Sequence, residues 1–149
     1  MRSDVLGALG ALSVAAEAGT TAYPSPYREK LAGRKKRRLA AAYGLDKYGV
    51  NLTELAPGAS SSELHWHTRL DEFIYVLKGN PTLFYGDTEE VLEPGQCIGF
   101  PSGAEIGHTL VNCTEQPVHV LEIGDRAPGD VCHYPRAAFG PVKLYPDNK

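Results

Sequence analysis

His65 and His67 stand one residue apart in the stretch GASSSELHWHTRLDE, residues 58–72, and Glu72 follows five positions after the second. If the stretch is extended, alternate side chains share a face, so the two imidazoles point together and can converge on one ion. Imidazole is the commonest metal-binding side chain that is neutral near neutral pH. Glu72 opens the next extended run after a short link, from which a carboxylate can return to the same point. His108 opens a later run, after the turn Pro101-Ser-Gly103. An HxH pair alone is weak evidence, because single histidines are mostly surface or satisfied core residues. His119 has no patterned partner and His133 lies in the tail, so both are read as non-ligands.

The elements that must position these residues are short strands. Segments 48–55, 63–67, 72–78, 81–85, 90–92, 97–100, 108–113 and 118–123 carry apolar alternation or β-rich composition. Pro57-Gly58, Gly79-Asn80-Pro81, Gly86-Asp87, Pro94-Gly95, Pro101-Ser-Gly103 and Glu115-Gln-Pro117 separate them. About eight strands at this spacing predict an all-β sandwich or barrel. No helical period of useful length interrupts the block. Three regions follow: an N-terminal extension over 1–46, a barrel over 47–124, and an irregular tail over 125–149 packed on the barrel.

The chain has 149 residues, enough for one ordinary domain. Its hydrophobic share of 42% and charged share of 22% suit a soluble globular protein, and sixteen Gly and eleven Pro suit many tight turns. The net charge of −3 gives no global reason to expect nucleic acid or an anionic membrane as partner. No apolar run reaches transmembrane length. The basic run Arg34-Lys-Lys-Arg-Arg38 admits a nuclear-import or polyanion-binding reading. A solvated segment leading into the domain is preferred, since no aromatic residues interleave it. Cys97, Cys113 and Cys132 are odd in number and lack a CxxC pair, so a reducing, cytoplasmic setting is expected. Cys97 is expected as a buried thiol. At the N-terminus, Arg2 is followed by Asp4 and an Ala-, Gly- and Leu-rich stretch, which reads as a loose helix or frayed tail rather than a signal peptide.

Taken together, the spacing from Gly58 is G-x6-H-x-H-x4-E-x6-G, ending at Gly79, and from Gly95 it is G-x5-P-x-G-x4-H-x3-N, ending at Asn112. Both resemble the two signature motifs of the cupin superfamily. Asn80 to Pro94 matches the short inter-motif spacing of small microbial cupins. The first glycine-to-histidine gap is one residue longer than usual, and the proline-glycine to histidine gap is four rather than two. Both differences fall in loops. The stretch from Ile123 to Asp130, with His133-Tyr-Pro135, is similar to the ending of a group of small bacterial cupins, although Arg136-Ala137 stands where acidic residues are frequent. The resemblance implies a double-stranded β-helix, or jelly-roll, barrel. It also implies one divalent transition metal held by His65, His67, Glu72 and His108. A shell of three neutral nitrogens and one carboxylate accepts Fe, Mn, Ni, Cu or Zn and leaves coordination positions open. Adjacent strand residues face opposite ways, so only one of Asp71 and Glu72 can reach the ion. Glu72 fits the six-residue spacing to Gly79.

The same parity puts Ile74 and Val76 on the face of Glu72, lining the cavity, and Phe73, Tyr75 and Leu77 on the opposite face. Leu110 and Asn112 share the face of His108, with Asn112 read as a structural hydrogen-bonding residue. Glu63, Arg69 and Glu105 are candidate second-sphere groups. Tyr134-Pro135 has two readings, a closure over the barrel mouth and a packed tail. Three functions follow. The first is a metal-dependent enzyme acting on a small organic molecule as an oxygenase, lyase, isomerase or hydrolase. The second is a non-catalytic binding or sensing module for a sugar or organic acid. The third is a metal-free, epimerase-like cupin, disfavoured by the complete ligand set. A homodimer is expected, with residues 20–46 covering an edge strand or exchanging with a second subunit.

Overall fold

The computed structural model describes residues 6–145. Twelve strands follow the chain: β1 Ala16–Ala18, β2 Arg34–Arg38, β3 Tyr48–Leu55, β4 Trp66–His67, β5 Glu72–Lys78 and β6 Thr82–Tyr85. They continue as β7 Thr88–Val91, β8 Cys97–Phe100, β9 His108–Val111, β10 Val118–Asp125, β11 Val131–His133 and β12 Val142–Lys143. One α-helical turn, α1, spans Leu39–Ala42. The large sheet runs β1-β2-β3-β10-β5-β8, and two three-stranded sheets run β12-β11-β4 and β7-β6-β9. All pairings are antiparallel. This is the expected all-β jelly roll.

The local reason is clearest in β5, a run rich in β-branched and aromatic residues. Ile74 and Val76 are 3% and 0% exposed, while Phe73, Tyr75 and Leu77 are 38–44% exposed. One face is therefore core and the other is surface. Ile74 lines the central cavity, and Val76 lies in the core cluster with Leu55, Leu83, Leu110, Val118 and Val120. Fully burying each such aliphatic side chain contributes about 1.5–3 kcal/mol. Asn112 is fully buried and fully used. Its amide donates to the Leu55 and Gln116 carbonyls at 2.9 and 2.7 Å, and its oxygen accepts from the Thr114 N–H and hydroxyl.

Several flanking segments differ from the expectation. The basic run is not a solvated lead-in but strand β2, in register with β3 from Arg34 opposite Leu55 to Arg38 opposite Asn51. Cross-strand charge pairing makes this tolerable: Arg37 meets Glu54, and Arg38 meets Glu17 on β1. The extension thus covers the β3 edge of its own chain. The tail is irregular over most of its length but contributes β11 and β12. Cys97 is exposed rather than buried, because strand parity turns it to the outer face with Tyr75, its partner on β5. All three cysteines are free. His119 pairs with Glu54 at 3.2 Å, and the His133 ring stacks on Trp66. Among the described residues, no helix is long and apolar enough to cross a membrane.

Gly79 closes β5 at φ +80°, where a Cβ would meet the Pro117 carbonyl oxygen at 2.6 Å. A left-handed L-residue costs about 1–2 kcal/mol, and the clash adds to it. Gly79→Ala should therefore lose about 2 kcal/mol or more, seen as a fall of several degrees in thermal unfolding.

Candidate metal centre

His65 and His67 flank Trp66, and strand parity decides where each goes. β4 pairs with β11, Cys132 opposite His67 and His133 opposite Trp66. The Trp66 and His133 rings stack at 4.2 Å and 10°, which fixes the register and leaves His65 and His67 on the inner side. His65 makes an isolated bridge to His108, joining the end of β4 to the start of β9. The His108 ring stacks on Phe100 at 3.6 Å. Glu72, at the start of β5, lies opposite Phe100 on β8 and Gly124 on β10.

These placements bring four side chains to one point. Nε2 of His65 and of His67 lie 3.0 and 2.7 Å from Glu72 Oε1, and His108 Nε2 lies 3.3 Å from Oε2. His65, Glu72 and His108 form a group able to hold a metal ion. The cluster lies in a cavity of about 250 Å³ that Tyr134 and Tyr23 also line. Asp71 turns outward, where its carboxylate accepts the Ser102 N–H at 2.8 Å.

Ring orientation sharpens the chemistry. His65 Nδ1 lies 2.9 Å from the Glu63 carbonyl oxygen, to which it can only donate. His67 Nδ1 lies 2.7 Å from the Asp130 carboxylate, to which it also donates. In the neutral rings each Nε2 is then a lone pair aimed at a carboxylate oxygen. Two acceptors at such distances need a proton or a cation between them. His108 is buried; its Nδ1 has no hydrogen-bond partner among the described residues, and its Nε2 meets the Glu72 carboxylate at 3.3 Å. A buried unpaired polar group is costly unless something binds it. The donor set therefore fits a divalent transition ion.

Burial alone would raise the Glu72 pKa, but hydrogen bonds from His108, His65 and His67 outweigh it and hold the carboxyl well below the usual range. Burial would lower His67, but Glu72 and Asp130 outweigh it and raise the imidazole. His108 is lowered, by burial first and then by the neighbouring imidazoles, with Glu72 opposing. Cys132 forms a second group with His65 and His67. Burial, helped by Glu72 and Asp130, pushes its thiol up to about 12, so it stays protonated at neutral pH. Glu72, already ionised, is the better anionic ligand.

The three candidate second-sphere residues do not line this cavity. Glu63 pairs through its carboxylate with Lys30 at 2.9 Å and contributes only its carbonyl to His65. Arg69 donates to the Pro128 carbonyl, and Glu105 borders a separate surface depression beside Arg136. Asp130 is the residue that sequence reasoning missed. It is fully buried, and Oδ1 accepts the N–H groups of Arg69 and Leu70 at 2.9 and 3.2 Å while Oδ2 faces His67. Tyr134 lines the cavity with its ring 6.1 Å from that of His65. Tyr23, Tyr27, Tyr134 and Phe139 pack together, joining the N-terminal segment to the tail.

Among known proteins, the model of the Cupin domain family matches residues 51–124. A crystal structure of a sugar phosphate isomerase from a cupin superfamily, from Silicibacter pomeroyi, is 34% identical with a TM-score of 0.84. The match covers 95% of this chain and 94% of that one. The chain belongs to the cupin superfamily. A putative sugar phosphate isomerase from Acidithiobacillus ferrooxidans is 31% identical over 78% of this cupin and 72% of that chain, with a TM-score of 0.70. A polyketide cyclase from Streptomyces resistomycificus, at 23% identity, TM-score 0.62 and 81% and 80% coverage, shares the fold. No curated protein sequence matches.

In the metal-free cupin, histidine NMR should find His67 titrating above about 6.5 and His108 below it. Asp130→Asn should lower the His67 value. The raised His67 value stabilises the fold below about pH 6.5, and this gain is lost as pH rises through the folded value. The lowered His108 value acts oppositely, removing stability as pH falls below about 6.5. The depressed Glu72 value stabilises above the ordinary carboxylate range, and that gain is lost as pH falls through it.

Proposed function

We propose that this cupin is a metal-dependent enzyme that isomerises a small phosphorylated sugar. The observation that carries the reading is the convergence of three imidazole Nε2 atoms on the two oxygens of Glu72 inside a cavity. His65, His67, Glu72 and His108 would hold the ion. A bound divalent ion supplies Lewis-acid polarisation of a carbonyl or hydroxyl oxygen. The likeness to proteins described as sugar phosphate isomerases supports the choice of substrate and reaction over the other chemistries of the fold.

The chain's own groups have definite roles in this reading. Asp130 fixes the His67 ring through Nδ1, and the Glu63 carbonyl fixes His65. Tyr134 and Cys132 are protic groups in the cavity wall, and burial first of all raises the pKa of both. At neutral pH each can donate a hydrogen bond to a substrate oxygen. An aldose–ketose interconversion moves hydrogen from one carbon to the next and from one oxygen to the other, so it needs no co-reactant. The cavity volume suits a molecule of this size better than a polymer.

Elemental analysis of the purified cupin should give near one transition metal per chain. His67→Ala should lose most of that metal and reduce isomerase activity at least a hundredfold. Asp130→Asn should weaken metal affinity about 10–100-fold. A folded protein that takes up no transition ion sinks the proposal. Metal-loaded protein that binds a sugar phosphate without turnover makes it a non-catalytic binding module. Cytoplasmic residence is part of the same reading, supported by the free thiols, two of them exposed. So is a homodimer, in which a second copy covers the exposed row Phe73, Tyr75 and Leu77. Light scattering at micromolar concentration should give twice the chain mass, and a monomer there removes that part.

A further inference from the structure

The five charges of β2 divide by strand parity. Lys35 and Arg37 face away from the cavity, and Arg37 is neutralised by Glu54. Arg34, Lys36 and Arg38 line the same cavity as the histidine cluster. Arg34 is nine-tenths buried. Its terminal nitrogens donate to the Ser61 carbonyl at 2.8 Å and the Thr20 carbonyl at 2.6 Å, and its Nε is buried without a partner. Arg34 makes no ion pair among the described residues. A buried guanidinium held by carbonyls alone keeps its full charge, and buried charges are ordinarily paired.

Of the other two cations on this face, Lys36 is weakly engaged and Arg38 is held by one exposed carboxylate. Lys36 Nζ lies 3.9 Å from Glu122, which is itself bonded by the Thr53 hydroxyl. Arg38 meets Glu17 through Nε at 3.1 Å and a terminal nitrogen at 3.2 Å, in a half-exposed pair that solvent can screen. Arg126, at the far end of β10, brings a fourth cation to the wall. Against Arg34, Lys36, Arg38 and Arg126 the cavity presents Glu72, Glu122 and Asp125. Glu72 is engaged by the imidazoles.

We propose that the inward face of β2, Arg34 with Lys36 and Arg38, is the binding site for the phosphate group of the substrate. Guanidinium forks and an ammonium match a phosphate dianion, which offers three acceptor oxygens. Lys36 and Arg38 can turn from Glu122 and Glu17 to the ligand, while Arg34 supplies fixed charge behind them. β2 lies outside the segment 51–124 that the family model matches, so this selectivity is added to the barrel by the N-terminal segment. The identity of the ligand rests on the sugar phosphate reading, whereas the anion site itself does not.

Calorimetry on the full chain, metal-loaded and metal-free, tests this with inorganic phosphate, glycerol phosphate and glycerate as probes. Phosphate and glycerol phosphate should bind in both states and more tightly than glycerate. Lys36→Gln and Arg38→Gln should each weaken binding about tenfold, with metal content unchanged and the protein still folded. Glu17→Gln, which frees Arg38, should tighten it severalfold, an effect that a structural role for β2 would not produce. Phosphate binding unchanged in Lys36→Gln and Arg38→Gln overturns the proposal. So does binding that vanishes with the metal alone, or a preference for glycerate. If metal loading or isomerase activity fails while these phosphate effects hold, the enzymatic reading falls and the anion site stands. If metal and activity hold while phosphate ignores β2, the reverse follows.

Discussion

Acceptor groups crowded into one cavity set the terms for the rest of this cupin. Glu72 cannot face the inward Nε2 lone pairs of neutral His65 and His67 without a positive charge among them. In the metal-free protein Glu72 and Asp130 answer this by outweighing burial and raising His67, which favours a proton there. A divalent cation answers it with all rings neutral. Each imidazole nitrogen that faces away from the cluster is therefore as informative as the one that faces in. Asp130 and the Glu63 carbonyl decide which nitrogen of His67 and His65 carries the proton. For His108, ring orientation is left to stacking on Phe100.

The site is assembled by more than the family barrel. The segment 51–124 supplies His65, His67, Glu72 and His108. The tail supplies Asp130 through β11, which pairs with β4 and so reaches back to His67. One carboxylate ties the ring to the 68–70 loop, because its other oxygen accepts the Arg69 and Leu70 N–H groups. The extension supplies β2 and the Tyr23 and Tyr27 rings that pack with Tyr134 and Phe139. Deleting either flank would leave most of the core cluster intact and take away the orientation of His67 or the cationic wall.

What could be read in the sequence follows from how local its cause is. The bounds of β3, β5 and β8 were legible because alternation and turn glycines are local signals. Their parity separated Glu72 from Asp71 and the buried Ile74 and Val76 from their outward neighbours. β2 was not legible, since five consecutive charges show no apolar alternation. Its strand character comes from pairing with β3 and β1, where Glu54 and Glu17 offset its charge. Asp130 was hidden for a related reason: its partner lies 63 residues away, and nothing near it marks a buried carboxylate. The side chains of Glu63, Arg69 and Glu105 turn away from the histidine cluster, although the Glu63 carbonyl meets His65 and the Arg69 N–H meets Asp130. Their backbone turns send them to Lys30, to the Pro128 carbonyl and to a different depression.

The two charged features of the cavity also constrain each other. A dication among the imidazoles adds positive charge to a wall that already carries Arg34, Lys36, Arg38 and Arg126. Glu122 and Asp125 offset part of it, but among the described residues Arg34 pairs with no carboxylate. Such an excess of positive charge is unfavourable by itself and is offset when an anion binds beside it. Loading the metal should therefore strengthen the hold on a phosphorylated ligand, and the ligand should strengthen the hold on the metal by the same factor, because linkage is reciprocal. A neutral sugar would feel the ion but leave the β2 cations uncompensated. In the proposed reading, the charge balance of the cavity matches a ligand that carries its own negative charge to the β2 side.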